Sequence, residues 1–89
     1  MNSIFQTSQF RKDFKKIRRR GKDIGKLECV IKVILAGDPL EERHHDHPLG
    51  GQWTGSRDCH VEPDWVLIYR VDADCLYLER TGSHSDLFG

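Results

Sequence analysis

The sequence has few cysteines and no long apolar run. Its three cysteines, Cys29, Cys59 and Cys75, are an odd number without a C-x-x-C pair, which argues against a disulfide framework and against a thiolate zinc site. No stretch approaches the about 18 consecutive apolar residues of a membrane-spanning helix, and the first residues lack the apolar segment and cleavage site of a signal peptide. We therefore expect a soluble, unexported protein of the cytoplasm.

The chain is also short and poor in apolar residues. It has 89 residues, of which 37% are hydrophobic. A chain of this length can bury only one thin core, so we expect a single domain over residues 1–89 with two layers at most.

Net charge is absent, yet the two signs are separated along the chain. Residues 1–32 contain ten Lys and Arg against three Asp and Glu, whereas residues 33–89 contain four against eleven. A basic segment of this kind can bind a polyanion or an acidic protein, and it can equally be a solvated helix face.

Two amphipathic helices are predicted in the first half, after a short strand over residues 4–6. The first helix begins at Thr7 or Ser8, whose side-chain oxygen can cap it, and ends at Gly21; the second begins after Asp23. Their narrow apolar stripes need a sheet to cover them. The stripes are Phe10, Phe14 and Ile17 in the first helix, and Ile24, Leu27, Ile31, Ile34 and Leu35 in the second.

The second half is predicted to form the sheet. The expected strands are residues 53–60, 65–71 and 75–81. A tight reversal over residues 72–74 makes the last two antiparallel. We expect a loop over residues 38–50 and a tail over residues 82–89 that is too short for another element. The predicted fold class is α+β, with an N-terminal helical hairpin packed on a small, mainly antiparallel β-sheet.

Histidine is abundant, and every histidine lies in loops or near strand ends after residue 43, where small domains place their sites. The five are His44, His45, His47, His60 and His84. One interpretation is a metal site at residues 44–47, although consecutive ligands strain a single tetrahedral centre. Another is a nucleophilic Cys59 beside His60, although neighbours on a strand point to opposite faces.

A third interpretation is metal-independent cleavage of RNA. One imidazole can remove the proton of a 2′-OH, a second can protonate the leaving 5′-oxygen, and a cation can stabilise the charge on phosphorus. Aromatic faces can stack on unpaired bases. The candidates are Arg57 and Arg80 for the cation, and Trp65, Tyr69 and Phe88 for stacking.

Several blocks of the C-terminal half resemble, in the same order, the YafQ branch of the RelE-type toxins. The resemblance is close over residues 46–89 and loose over the helical hairpin. The blocks are DHPL at 46–49, GQW at 51–53, RD at 57–58, HVEPDW at 60–65, LIY at 67–69, ERTGSH at 79–84 and LFG at 87–89.

The resemblance implies a bacterial type II toxin that cuts mRNA in the decoding site of the ribosome. It implies attack by the 2′-OH to leave a 2′,3′-cyclic phosphate, no metal or organic cofactor, and inhibition by a cognate antitoxin. The expected partners are that antitoxin, mRNA and the ribosome with its 16S rRNA, and no membrane. The alternative is a non-catalytic nucleic-acid-binding module that represses an operator DNA through the antitoxin complex.

The resemblance also implies catalytic roles. His60 and His84 are the expected acid–base pair, in an unassigned order. Asp64 is expected to orient an imidazole or share the role of base, or else to be a turn residue. His47 is expected to contact phosphate or assist proton transfer, or else to cap a loop. His44 and His45 have no role in this pattern and are expected to be solvated.

Four further residues are expected to bind substrate. Phe88 and Trp65 would contact bases, with sheet packing as the alternative for Trp65. Arg80 is preferred over Arg57 for the phosphate charge, because Arg57 can instead pair with Asp58 or another acid.

Overall fold

Five strands form one sheet in the order β1-β5-β4-β3-β2 in the computed structural model, which describes residues 3–89. β1 is parallel to β5, and the other neighbouring strands are antiparallel. The elements are β1 Ser3–Gln6, α1 Ser8–Arg19, α2 Ile24–Leu35, β2 His47–Pro48, β3 Arg57–Glu62, β4 Trp65–Asp72, β5 Cys75–Gly82 and α3 His84–Phe88. The predicted α+β class is confirmed. Within residues 3–89, no helix is long and apolar enough to cross a membrane.

The two long helices form where the sequence predicts them. Thr7 Oγ1 accepts a hydrogen bond from the Phe10 amide at 3.0 Å and caps α1, and Asp23 caps α2 by accepting from the Gly25 amide at 3.0 Å. Gly21 follows α1 with a φ of 80°, a left-handed conformation that a residue with a Cβ adopts only with strain.

The sheet is covered on both faces, because side chains alternate along each strand. The face towards α1 and α2 carries the larger core, which includes Phe10, Ile17, Leu27, Val30, Ile34, Cys59, Val61, Trp65, Leu67, Tyr69, Leu76 and Leu78. The other face carries a smaller cluster of Val66, Ile68 and Leu87, with Leu49 and Trp53 packed against it. His60 lies on this second face, because its neighbours Cys59 and Val61 belong to the core on the helix side.

Three boundaries were predicted wrongly. The strand expected over residues 53–60 begins only at Arg57, because residues 51–53 form a 3₁₀ turn and Gly55 has a φ of 96°. The loop expected over residues 38–50 contains a 3₁₀ turn at Glu42–His44 and the short strand β2. Turn chemistry competes with extended structure at such polar, glycine-rich positions.

The tail over residues 82–89 also contains an unexpected element, the short helix α3. Ser83 caps it, and Asp86 reciprocates by accepting a hydrogen bond from the Ser83 amide. Asp86 also pairs with Arg20 at 2.6 Å and with Lys16 at 3.2 Å. The bonds from Arg20 and from the Ser83 amide hold the pKa of Asp86 well below its usual range. α3 is therefore tied to the end of α1.

Candidate active site

His60 and His84 come together on the face of the sheet that carries α3. His60 on β3 is paired with Val66 on β4, which is paired with Gly82 on β5, two residues before His84. The two imidazole centroids are 5.1 Å apart, and the rings meet edge to face at 86°. Side chains that are 24 positions apart in sequence can therefore reach the same phosphodiester group.

Asp64 holds His84 by two contacts. Its Oδ1 accepts a hydrogen bond from the His84 backbone amide at 3.0 Å and lies 2.7 Å from His84 Nδ1. These hydrogen bonds lower the pKa of Asp64, so the carboxylate stays ionised. An ionised acceptor places the ring proton on Nδ1 and leaves Nε2 as the atom available for proton exchange with substrate.

His60 has a different electrostatic environment. Burial lowers the pKa of its imidazole, and the neighbouring His84 lowers it further, while Asp58 opposes the shift. A pKa below the ordinary value of about 6.5 leaves His60 neutral at physiological pH, as a general base requires.

Asp58 is a functional candidate that the sequence analysis missed. Its side chain is 5% exposed, and Oδ1 lies 3.0 Å from Nε2 of His47, whose Nδ1 contacts the His45 carbonyl oxygen at 2.7 Å. Burial raises the pKa of Asp58. The available signal was its position two residues before His60, which puts both side chains on one face of β3.

His44 and His45 lie close to His60, a position that the sequence pattern did not predict; His44 is partly buried, contrary to expectation, whereas His45 is an exposed loop residue, as expected. Nδ1 of His44 lies 2.6 Å from the His60 carbonyl oxygen, and the His45 ring centroid lies 5.5 Å from that of His60. The 3₁₀ turn Glu42–His44 places these side chains against β3.

The metal-site interpretation of residues 44–47 does not fit the structure. His44 is directed to the His60 carbonyl, His47 to Asp58, and Asp46 to Arg57. Across residues 3–89, no group of three or more His, Cys, Asp or Glu side chains is arranged to hold a metal ion.

The nucleophilic cysteine is also excluded. Cys59 is completely buried in the core on the helix side of the sheet, whereas His60 lies on the other side. Burial raises the pKa of the Cys59 thiol to about 12, so the reactive thiolate is not formed near neutral pH.

Both candidate arginines are already engaged by carboxylates. Nε of Arg57 lies 3.1 Å from Oδ1 of Asp46, the other acid that the sequence analysis anticipated. Arg80 donates from Nε and Nη2 to the buried Asp13 at 2.9 and 3.0 Å. Ile68 on β4 is paired with Asp58 on β3 and with Arg80 on β5. Arg80 therefore lies in the same cross-strand row as Asp58, near the histidines.

The three predicted stacking aromatics divide into two groups. Trp65 is 1% exposed and donates from Nε1 to Thr81 Oγ1 at 2.9 Å, and the buried Tyr69 donates to Asp46. Neither ring can stack on a base, so the prediction that Trp65 and Tyr69 are stacking residues was wrong. Both side chains lie on the face of β4 that is directed to the helices. Phe88 is 46% exposed, and its centroid lies 6.3 Å from that of His84.

Comparison with known proteins identifies the family of this chain. A family model described as the bacterial toxin of type II toxin-antitoxin system, YafQ, matches residues 2–89. The chain belongs to the YafQ toxin family. Membership confirms the family resemblance seen in the sequence.

A curated relative and several solved structures match over nearly their whole length. The mRNA interferase toxin YafQ of Escherichia coli K12 is 45% identical over 87 residues, which are 97% of this chain and 95% of the relative. The E. coli DinJ-YafQ toxin-antitoxin complex contains a chain with a TM-score of 0.89 and 45% identity, with 97% of this chain and 96% of that chain covered. A metal-bound toxin from Helicobacter pylori has a TM-score of 0.92 and 37% identity, with coverage of 99% and 100%.

Proposed function

We propose that this protein is the toxin of a type II toxin–antitoxin pair and cleaves mRNA on the ribosome by metal-independent acid–base catalysis. The observation that carries the proposal is the direct contact between the His60 and His84 rings, with Asp64 holding one of them. Its family and the relative named mRNA interferase support the choice of RNA as substrate.

The different surroundings of the two histidines support a proposed assignment of the two proton transfers. Neutral His60 removes the proton from the 2′-OH, and the 2′-oxygen attacks phosphorus. His84 acts as the imidazolium, with its Nδ1 proton held by Asp64, and donates its Nε2 proton to the departing 5′-oxygen. The products are a 2′,3′-cyclic phosphate and a 5′-hydroxyl end. His47 lies beside Asp58, and because its Nε2 contacts Asp58 and its Nδ1 the His45 carbonyl oxygen, a contact with the phosphate would require it to leave one of these partners.

The basic face of α1 is proposed to bind the ribosome. Its last turn contains Lys16, Arg18 and Arg19, and Arg18 and Arg19 with Lys15 surround a surface depression. A cluster of cations binds the phosphates of 16S rRNA with release of counterions. A cognate antitoxin, as in the E. coli complex, is proposed to inhibit the toxin, and the two together to bind operator DNA.

Product chemistry in the presence of a chelator tests this function. The purified full chain is incubated with mRNA-programmed ribosomes in EDTA, and we expect new 5′-hydroxyl and 2′,3′-cyclic phosphate ends. Loss of cleavage on chelation, with restoration by added zinc, would instead indicate a metal enzyme, an alternative suggested by the metal-bound H. pylori toxin. Operator binding by the antitoxin complex without any RNA cleavage would indicate the repressor.

Phe88 provides a second test, because its exposed ring next to His84 suits contact with a base. We expect Phe88→Ala to lower kcat/KM for mRNA cleavage by about tenfold. One base stack contributes roughly 1 to 3 kcal/mol, and its loss predicts an effect of this size. The melting temperature of the variant should change little. If the ring were core, the free energy of unfolding would instead fall by about 3 kcal/mol or more.

A further inference from the structure

A cavity of about 500 Å³ opens beside the catalytic pair, and the proposed proton transfers do not use most of its lining. The lining residues are Arg43, His45, His47, His60 and Pro63. The His60 ring therefore takes part in two contacts: its centroid lies 5.1 Å from that of His84, and 5.5 Å from that of His45, with which it lines this cavity.

The guanidinium of Arg43 is more available to an anion than those of Arg57 and Arg80. Its side chain is 72% exposed, and its carboxylate contact is Glu41, 74% exposed and 3.5 Å away. An exposed pair of this kind contributes at most about 1 kcal/mol, so a phosphate can displace it. Arg80, in contrast, is held by two hydrogen bonds to a buried carboxylate.

The segment that carries Arg43 is held against the sheet. His44 Nδ1 contacts the His60 carbonyl oxygen, and the His45 amide donates to the Glu42 carbonyl at 3.0 Å. His45 has a φ of 47°, a left-handed conformation that costs free energy in a non-glycine residue and persists where the surroundings enforce it. The cavity wall is therefore preorganised next to β3.

We propose that Arg43 and His45 form a binding subsite for the phosphate of the nucleotide adjacent to the cleaved linkage. The proposal rests on the proposed nuclease function. In an RNA strand, each phosphate is followed by the phosphate of the next nucleotide. If the cleaved phosphate lies over His60 and His84, the adjacent phosphate lies beside His60. The cavity provides a cation and an imidazole there, which is the chemistry that binds a phosphodiester.

Cleavage kinetics on mRNA-programmed ribosomes test the subsite with the full chain. We expect Arg43→Gln to raise KM by about tenfold, the effect of one charge-assisted hydrogen bond, with kcat within about twofold. Arg43→Lys should restore part of the loss, and Glu41→Gln should lower KM because it removes the competing carboxylate. The matched control is Lys32→Gln, which removes one exposed positive charge in the last turn of α2.

Two further measurements separate a substrate contact from other roles. The dependence of log KM on log salt concentration should be shallower by about 0.7 in Arg43→Gln, as expected for one lost contact to single-stranded RNA. Binding to ribosomes without mRNA in the decoding site should be unchanged; weaker binding there would assign Arg43 to rRNA and overturn the subsite. Equal KM values for Arg43→Gln and Lys32→Gln would also overturn it. If the unaltered chain cuts no mRNA, the nuclease function fails and the subsite fails with it.

Discussion

His84→Ala is expected to lower the single-turnover rate of mRNA cleavage by about 10² to 10⁴-fold, the usual contribution of a general acid. The departing 5′-oxygen is strongly basic, so its departure depends on a proton, and the structure directs His84 Nε2 outward by binding Nδ1 to Asp64. The His84 side chain is 47% exposed, so the loss of packing should be small. The melting temperature should therefore stay close to that of the unaltered protein.

His60→Ala is expected to give a loss of similar size and a different pH profile. A general base must be unprotonated, so the rate of the unaltered enzyme should rise with pH through the pKa of His60. Burial lowers this pKa, which places the acid limb of the profile below about pH 6.5. In His60→Ala that limb should disappear or shift. Undiminished cleavage by the His60→Ala, His84→Ala double variant would contradict the mechanism.

The same shift has a consequence for stability. A folded state that lowers the pKa of His60 disfavours its protonated form. The contribution of His60 to the stability of the folded state is therefore fully present above the pKa of about 6.5 that His60 has in the unfolded chain. It is lost as the pH falls through the lower pKa of the folded state. Rates below pH 6 should therefore be compared only after folding has been verified by circular dichroism.

Asp13→Ala is expected to cause the largest loss of stability, about 3 kcal/mol in the free energy of unfolding. Asp13 is 6% exposed and accepts hydrogen bonds from Arg80, from the Thr81 amide at 3.2 Å and from Gln9. Its removal leaves the mostly buried Arg80 guanidinium without its carboxylate. For a chain of this length, the loss corresponds to a melting temperature lower by roughly 15 °C.

The network around Asp13 also stabilises the strand end next to the candidate active site. Thr81 accepts from Trp65 Nε1 and donates to the Val66 carbonyl oxygen at 2.9 Å, which anchors the end of β5 just before Ser83 and His84. Urea denaturation measures the expected loss, with Asp13→Asn as the control that keeps the shape of the side chain but not its charge. A change below about 1 kcal/mol in Asp13→Ala would show that the ion pair contributes little, as exposed pairs do.

The ion pair with Asp13 also bears on the predicted binding of phosphate by Arg80, because it occupies the Arg80 guanidinium. Arg80→Gln at a temperature well below its melting transition should retain most activity if Asp13 is the main partner of the guanidinium. If the cleavage rate falls as much as in His84→Ala, and circular dichroism shows that the protein is folded, Arg80 contacts the substrate.

Local sequence patterns were sufficient for the main elements of the fold. The apolar stripes and capping residues Thr7 and Asp23 predict α1 and α2, because helix formation depends on contacts three and four residues apart. The apolar, β-branched run after Asp64 predicts β4, the central strand. The ordered blocks in the C-terminal half identify the family, which the match to residues 2–89 confirms.

The arrangement of the site required the tertiary structure. The family resemblance implied His60 and His84 as the acid–base pair, but their contact arises from strand register across β3, β4 and β5. Only the fold shows that the Trp65 ring faces the helices and that Asp13 binds the Arg80 guanidinium. It also shows that His45 lies beside His60 and Asp58 beside His47. Side-chain direction and ion pairing at such positions depend on residues far apart in the chain, and local periodicity contains no information about which distant carboxylate or ring will be the neighbour.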